Sequence, residues 1–173
     1  MAFDSAFFNT WQPRALAVLR IVTAYLFLQH GTAKLLGIPA IEMFKGGVPL
    51  LSMSGIAGLL EIVGGGLLLI GLFTRPTAFV LCGQMAVAYF IAHANQGHVL
   101  APILNGGELA VLFCFIFLYL AVAGAGAWSV DAMRGRSGAR AARVGTTSAC
   151  SILLGGSVRR QVEQQNLGTP APL

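Results

Sequence analysis

Four long apolar stretches, each containing few ionisable residues, dominate this chain. They cover residues 13–36, 50–73, 76–94 and 102–124. Each is long enough to cross a bilayer, because a helix of roughly 20 residues spans the ~30 Å hydrocarbon layer. A soluble bundle would carry a charged stripe on every helix, and these segments carry none. The pattern predicts an all-α polytopic membrane protein with a four-transmembrane-helix bundle.

Polar residues at helical spacing mark one face of each predicted helix. In the first stretch they follow steps of three and four residues, and in the second they are accompanied by glycines that permit close helix approach. Buried polar groups are costly in a bilayer, so such faces are predicted to meet in the bundle interior and to carry function. The candidate ligand-binding or proton-relay residues on these faces are Arg20, His30, Lys34, Glu61, His93, Asn105 and Glu108.

The rise of about 1.5 Å per residue places these candidates at different depths. Most of them, including His30, Lys34 and Glu108, fall near the extracytoplasmic surface, whereas Glu61 falls near mid-membrane and Arg20 below it. A polar column with an Arg20–Glu61 ion pair at its floor is therefore predicted. The alternative is that these buried pairs only fix helix register and bind no ligand.

Charge placement predicts the topology and the domain boundaries. Basic residues cluster on one side of the four spans, at Arg14, Arg75 and from Arg134 onward, so both termini are predicted to be cytoplasmic. The net charge of +5 comes from the basic end of the chain. We expect an interfacial segment at residues 1–12, a membrane domain at 13–134 and a disordered tail at 135–173.

The residues give little support to several classes of chemistry. Two histidines and a carboxylate could hold a metal, but no local ligand spacing such as HxxxH occurs, so no metal site is predicted. Cys82 and Cys114 are expected at different depths and Cys150 lies in the tail, so the thiols are interpreted as apolar filler. The basic tail could touch anionic lipid, and nothing further indicates a nucleic-acid partner.

The polar motifs together resemble the DoxX family. They are Arg20 with His30-Gly31-x2-Lys34, then Gly58-x2-Glu61-x2-Gly64-Gly65-Gly66 leading to Gly71-Leu72-Phe73-Thr74-Arg75, Asn105-Gly106-Gly107-Glu108, and Gly126-x2-Ser129-x-Asp131. The resemblance covers about residues 14–134. It implies a four-span bacterial inner-membrane protein, and members of the group accompany membrane oxidoreductases.

Two hypotheses of function follow from the residues and the resemblance. In the first, the column binds a quinone-like head group or a small anion, and the protein is a redox-linked membrane component. In the second, it is a non-catalytic scaffold or assembly factor for a partner oxidoreductase subunit. The chain lacks haem ligand spacing, a dinucleotide loop and paired cysteines, so no intrinsic cofactor is predicted. A diffusible quinone or a partner's cofactor would carry the electrons, and catalysis by this chain alone and its oligomeric state stay open.

Overall fold

The computed structural model describes residues 5–44 and 47–135, and within them the chain is helical and holds no strand. Helix α1 is Ser5–Leu36, α2 is Met53–Ile70, α3 is Thr74–Ala88 and α4 is Glu108–Ala123. Helix α3 continues through a π-helical segment, Tyr89–His93, into a 3-10 turn, Ala94–Gln96, and another 3-10 turn, Glu42–Phe44, precedes α2. The predicted all-α class is confirmed.

Three helical segments are long and apolar enough to cross a membrane: Ala6–Leu36, Met53–Ile70 and Thr74–His93. The fourth apolar helix, Glu108–Ala123, is shorter. Large apolar side chains such as Val63, Phe79 and Phe115 point outward and are exposed. An apolar outer surface of this extent is what a helix bundle presents to lipid. The cytoplasmic placement of both termini stays a prediction.

Helix α1 begins well before the predicted first span and runs without interruption through Pro13. Its 32 residues correspond to about 48 Å, which exceeds the hydrocarbon thickness of roughly 30 Å. Exposed aromatic rings occupy its N-terminal part, where Phe7 packs 6.0 Å from Trp11 and the Arg14 guanidinium lies 5.2 Å from the Trp11 ring. The interfacial location of this part stays a prediction, and residues 1–4 lie outside the described residues.

Glycines bring α1 and α2 together as an antiparallel pair. A Cβ atom built on Gly31 would lie 2.8 Å from the Gly58 carbonyl oxygen and 2.9 Å from the Glu61 Cβ. Farther along the same contact, a Cβ on Gly65 would lie 2.9 Å from Leu28. Any side chain with a Cβ atom at these positions would push the two backbones apart, so the glycines permit the close crossing.

The core lies where all four helices meet. Phe27 of α1 packs 5.3 Å from Phe113 and 4.8 Å from Phe117 of α4, between ring centroids. Leu68 of α2 and Leu81 of α3 are also buried in this cluster. Aromatic pairs at these separations add to the packing energy, so the rings tie the first helix to the last.

The predicted start of the fourth span at residue 102 is wrong, because α4 begins six residues later at Glu108. Residues 102–106 form turns, in which the Gly107 N–H donates to the Pro102 carbonyl at 3.0 Å. Asn105 closes this turn by accepting the Gly107 N–H on its side-chain oxygen at 2.9 Å. Asparagine followed by Gly106 with a φ of 69° favours a turn over a helix.

The segment after α4 folds back onto the other helices. The Ala127 N–H donates to the Pro13 carbonyl at 2.8 Å, and the Asp131 N–H donates to the Gly71 carbonyl at 3.0 Å. The Asp131 carboxylate accepts the N–H groups of Phe73 and Thr74, at 3.0 and 2.8 Å, and so caps the start of α3. The prediction for the tail falls on residues 136–173, which lie outside the described residues.

Candidate functional site

Arg20 lies fully buried in α1, and within the described residues its hydrogen bonds all go to backbone carbonyls. Its Nη1 reaches the Leu68 and Leu69 carbonyls at 2.5 and 3.0 Å. Its Nε and Nη2 reach the carbonyls of Ala125 and Trp128 at 2.9 and 3.0 Å. The guanidinium therefore joins the end of α2 to the segment after α4.

The predicted ion pair between Arg20 and Glu61 is wrong. Helix α2 ends at Ile70, and Gly71 follows it in a left-handed conformation. The carbonyls of the last helical turn have no N–H of a further turn to accept, so they need other donors. Arg20 caps those carbonyls and places a cation at the negative end of the helix dipole. Leu68 lies seven residues after Glu61, about 10 Å along α2, so the guanidinium sits beyond reach of that carboxylate.

Glu61 instead pairs with Lys34. The Lys34 Nζ lies 2.5 Å from the Glu61 Oε1, and the two side chains are 17% and 2% exposed. The glycine contact of Gly31 with Gly58 brings the two helices close enough for this pair to form. One end of the ion pair is thus almost wholly enclosed by protein, while the lysine keeps a path to the surface.

Gln84 of α3 completes this group, which we call the buried polar cluster (Lys34, Glu61 and Gln84). The Gln84 Nε2 donates to the Ala57 carbonyl at 3.2 Å and to the Glu61 Oε1 at 3.4 Å. The sequence reasoning missed Gln84. A glutamine within an apolar span is itself the signal that could have found it, because intramembrane polar residues usually face the bundle interior.

Two acceptor atoms of the buried polar cluster have no hydrogen-bond partner among the described residues. They are the Glu61 Oε2 and the Gln84 Oε1, and both are buried. An unpaired buried acceptor costs roughly 1–3 kcal/mol, so most native structures avoid one. The two side chains that carry these acceptors contact each other through the Gln84 Nε2 and the Glu61 Oε1, so both acceptors belong to one group.

His30 lies one turn before Lys34 on the same face of α1 and is half-buried. Its ring packs edge-on against Phe113 of α4, with 5.9 Å between centroids. The imidazole thus extends the polar face of α1 toward the aromatic core.

His93 and Asn105 meet in a second, separate group. The His93 Nδ1 lies 3.1 Å from the Asn105 carbonyl oxygen, and the Asn105 Nδ2 donates to the Tyr89 hydroxyl at 3.2 Å. The Tyr89 hydroxyl donates in turn to the Val99 carbonyl at 2.6 Å. These hydrogen bonds hold the connection between α3 and α4 in place. Glu108 is exposed at the start of α4, where a carboxylate suits the helix dipole.

The seven candidates therefore divide among several places. The structure pairs Lys34 with Glu61 and His93 with Asn105, and it gives Arg20 a backbone-binding position of its own. No three histidine, cysteine, aspartate or glutamate side chains within the described ranges are grouped to hold a metal ion. Whether any candidate binds a ligand or relays a proton stays a prediction.

Cys82 and Cys114 lie beside each other, so the prediction of different depths is wrong. Their sulfur atoms are 3.6 Å apart, and both side chains are half-buried. Cys82 lies eight residues after the start of α3 at Thr74, and Cys114 lies nine residues before the end of α4 at Ala123. These positions correspond to about 12 and about 14 Å along antiparallel helices, so the depths match.

A cleft of about 380 Å³ opens at the start of α3. Its lining includes Thr74, Arg75 and Asp131 together with the glycines that follow α4. None of the seven candidates lines it. The cleft is therefore a separate feature from the buried polar cluster.

Comparisons with known proteins agree with the motifs. A model of the DoxX family matches residues 15–94, which include Arg20, the buried polar cluster and His93. An uncharacterized protein of Haemophilus influenzae is 51% identical over 126 residues, which cover 70% of this chain and 91% of that protein. No solved structure matches the chain.

Proposed function

Since this chain belongs to the DoxX family and is a multi-pass membrane protein, we propose that it serves as a redox-linked component of the cell inner membrane. In this proposal the buried polar cluster binds the head group of a quinone-like ligand and exchanges protons with it. One observation carries the proposal: Glu61 of the ion pair and the neighbouring Gln84 each hold a buried acceptor oxygen that has no hydrogen-bond partner in the described part of the chain.

The chemistry of those two atoms favours one of the two ligand classes expected from the sequence. Both the Glu61 Oε2 and the Gln84 Oε1 accept hydrogen bonds, so the ligand they suit carries donors. A small anion would face the Glu61 carboxylate and would find the Lys34 ammonium already paired. The hydroxyl groups of a hydroquinone are donors on an apolar ring, which fits a lipid-dissolved ligand next to aromatic side chains.

The same pair suits proton exchange. When a partner's cofactor takes two electrons from a hydroquinone, two protons are released, and a carboxylate that accepts a hydrogen bond from a ligand hydroxyl is placed to take one of them. Lys34 contacts that carboxylate at 2.5 Å and is more exposed than Glu61. We therefore assign Glu61 to proton acceptance and Lys34 to the path between it and the surface, with His30 on the same helical face as a further titratable group.

The experiment is to measure quinone bound to the full-length chain in lipid nanodiscs, by mass spectrometry of the extracted ligand and by titration with a short-chain hydroquinone. Glu61→Gln keeps the side-chain shape and removes the carboxylate, and Lys34→Met removes the ammonium. Each should weaken binding at least about tenfold, which is 1.4 kcal/mol. Glu42→Gln, in an exposed turn, is the matched control and should bind like the unaltered chain. Binding that is unchanged by both cluster variants would contradict the proposal.

A second candidate function is a non-catalytic scaffold or assembly factor for an oxidoreductase. It is favoured by Arg20 and by the Tyr89–Asn105 group, whose polar atoms are occupied by bonds that hold the fold together. Under this proposal the chain purifies with a stoichiometric protein partner and without quinone, and Glu61→Gln leaves that complex intact.

A further inference from the structure

The two cysteines of the membrane helices form a pair at the boundary between the core and the lipid-facing surface. Cys82 of α3 and Cys114 of α4 place their sulfur atoms 3.6 Å apart. Each follows a buried core residue, Leu81 and Phe113 respectively, and each is itself half-buried. The thiols are therefore held together by core packing on one side and remain open to lipid on the other.

This arrangement is close to that of a disulfide bond. A disulfide requires a sulfur–sulfur distance of about 2.0 Å, so the two sulfur atoms must approach each other by roughly 1.5 Å to form one. Helices α3 and α4 pack along their length, and the two residues lie at matching depths. The two residues therefore lie opposite each other before any bond forms.

We propose that Cys82 and Cys114 are a redox-active dithiol, which a lipid-dissolved quinone oxidises to a disulfide joining α3 and α4. In this step the two S–H bonds break and one S–S bond forms. The two thiols together give up two electrons and two protons, and the quinone takes up both to become a hydroquinone. A dithiol reductant reverses the step by thiol–disulfide exchange.

The position of the thiols selects the oxidant. Partly buried side chains in the middle of membrane-spanning helices lie at the depth of the acyl chains, where charged peptide disulfides do not dissolve. Quinones are two-electron, two-proton acceptors that do dissolve there. Cys82 and Gln84 lie two residues apart on α3 and therefore on different faces of the helix, at about 100° per residue. Oxidation of the two thiols can therefore be tested independently of ligand binding at the buried polar cluster.

The test uses the full-length chain with Cys150→Ser, reconstituted in lipid nanodiscs and reduced beforehand. The sample is exposed to a short-chain alkyl quinone or, as control, to its hydroquinone, then denatured and treated with a maleimide-linked polymer that retards each free thiol on a gel. With hydroquinone, both thiols should react. With quinone, neither should react, the intact mass should fall by two hydrogens, and a dithiol reductant should restore both thiols.

Two variants provide matched controls. Cys82→Ser should leave Cys114 reactive after quinone treatment. Cys82→Ser together with Gly83→Cys keeps the depth but rotates the second thiol by about 100°, into a position where an added Cβ has no atom within 4 Å, so both of its thiols should stay reactive. Persistent labelling of Cys82 and Cys114 after quinone treatment would overturn the proposal. A mass increase by one quinone, or equal protection in the Gly83→Cys control, would overturn it as well.

Discussion

Replacing Arg20 by methionine tests the assignment of this residue as a link between backbone segments. Methionine is similar in length and apolar, so the change removes the donors while keeping much of the volume. The Leu68 carbonyl still accepts the Gly71 N–H at 3.1 Å. The carbonyls of Leu69, Ala125 and Trp128 lose the guanidinium bonds that the structure gives them.

The expected cost follows from these three carbonyls. A buried acceptor left without its donor costs roughly 1–3 kcal/mol. These three hydrogen bonds are only part-buried, so each loss should lie near the lower end of that range, and Arg20→Met should lower the free energy of unfolding by roughly 3 kcal/mol. Arg20→Lys keeps the charge but replaces a planar fork of donors by a compact ammonium. It should recover less than half of the loss, because one ammonium cannot reach carbonyls on both sides of the guanidinium.

The assay is reversible unfolding in mixed detergent micelles, followed by circular dichroism across an SDS titration. Arg14→Met, an exposed arginine on the same helix, is the matched control and should change stability by less than about 0.5 kcal/mol. A double-mutant cycle of Arg20→Met with Glu61→Gln should be additive within about 0.5 kcal/mol, because the two side chains share no partner.

Two results would refute this reasoning. A loss below about 1 kcal/mol for Arg20→Met would show that the guanidinium bonds do not hold the end of α2. A coupling above about 1 kcal/mol between Arg20 and Glu61 would show that the two side chains interact after all.

Two further predictions concern helix contact and topology. Gly31→Ala should destabilise the protein by about 1–3 kcal/mol in the same unfolding assay, because its Cβ would lie 2.8 Å from a backbone oxygen of α2; Gly66→Ala, with no atom within 4 Å of an added Cβ, should be neutral or stabilising, and equal effects would contradict the close crossing. The positive-inside rule predicts that reporter fusions in the α1–α2 and α3–α4 connections are extracytoplasmic. Fusions in the α2–α3 connection and after α4 should be cytoplasmic. A cytoplasmic signal from the α3–α4 connection would contradict the four-span topology. The fusion sites, in that order, are Lys45, Gln96, Arg75 and Arg136.

Apolar length and helical periodicity were sufficient to predict the class of the fold. Runs of about 20 apolar residues favour a membrane-spanning helix, because a helix satisfies its own backbone hydrogen bonds in lipid. Periodicity also placed Lys34 and Glu61 on inward faces, and the structure brings these two together. The glycines beside them indicated a close helix contact, which Gly31 and Gly58 provide.

The sequence pattern did not predict which side chains of different helices contact each other. A period of 3.6 residues gives the face of a helix, but it gives neither the depth of that helix nor its rotation against a neighbour. The Asp131 carboxylate caps Thr74, 57 positions earlier in the chain, and so helps to determine where α3 begins. With α3 starting at Thr74, Cys82 lies at the same depth as Cys114. The predicted start at Pro76 placed the two cysteines at different depths.

Arg20 and Gln84 show the same limit for polar residues. The charge pattern predicted that the buried Arg20 pairs with a carboxylate. In the structure Arg20 instead donates to backbone carbonyls at the end of α2, which only the folded chain brings near it. Gln84 joins Glu61 because α3 packs against α2 at that depth. The sequence by itself placed most of the polar candidates on inward faces of apolar helices, whereas Glu108 is exposed and its predicted inward position is wrong. The tertiary structure decided which of them meet, because small offsets in helix start and rotation exceed the few ångströms over which hydrogen bonds act.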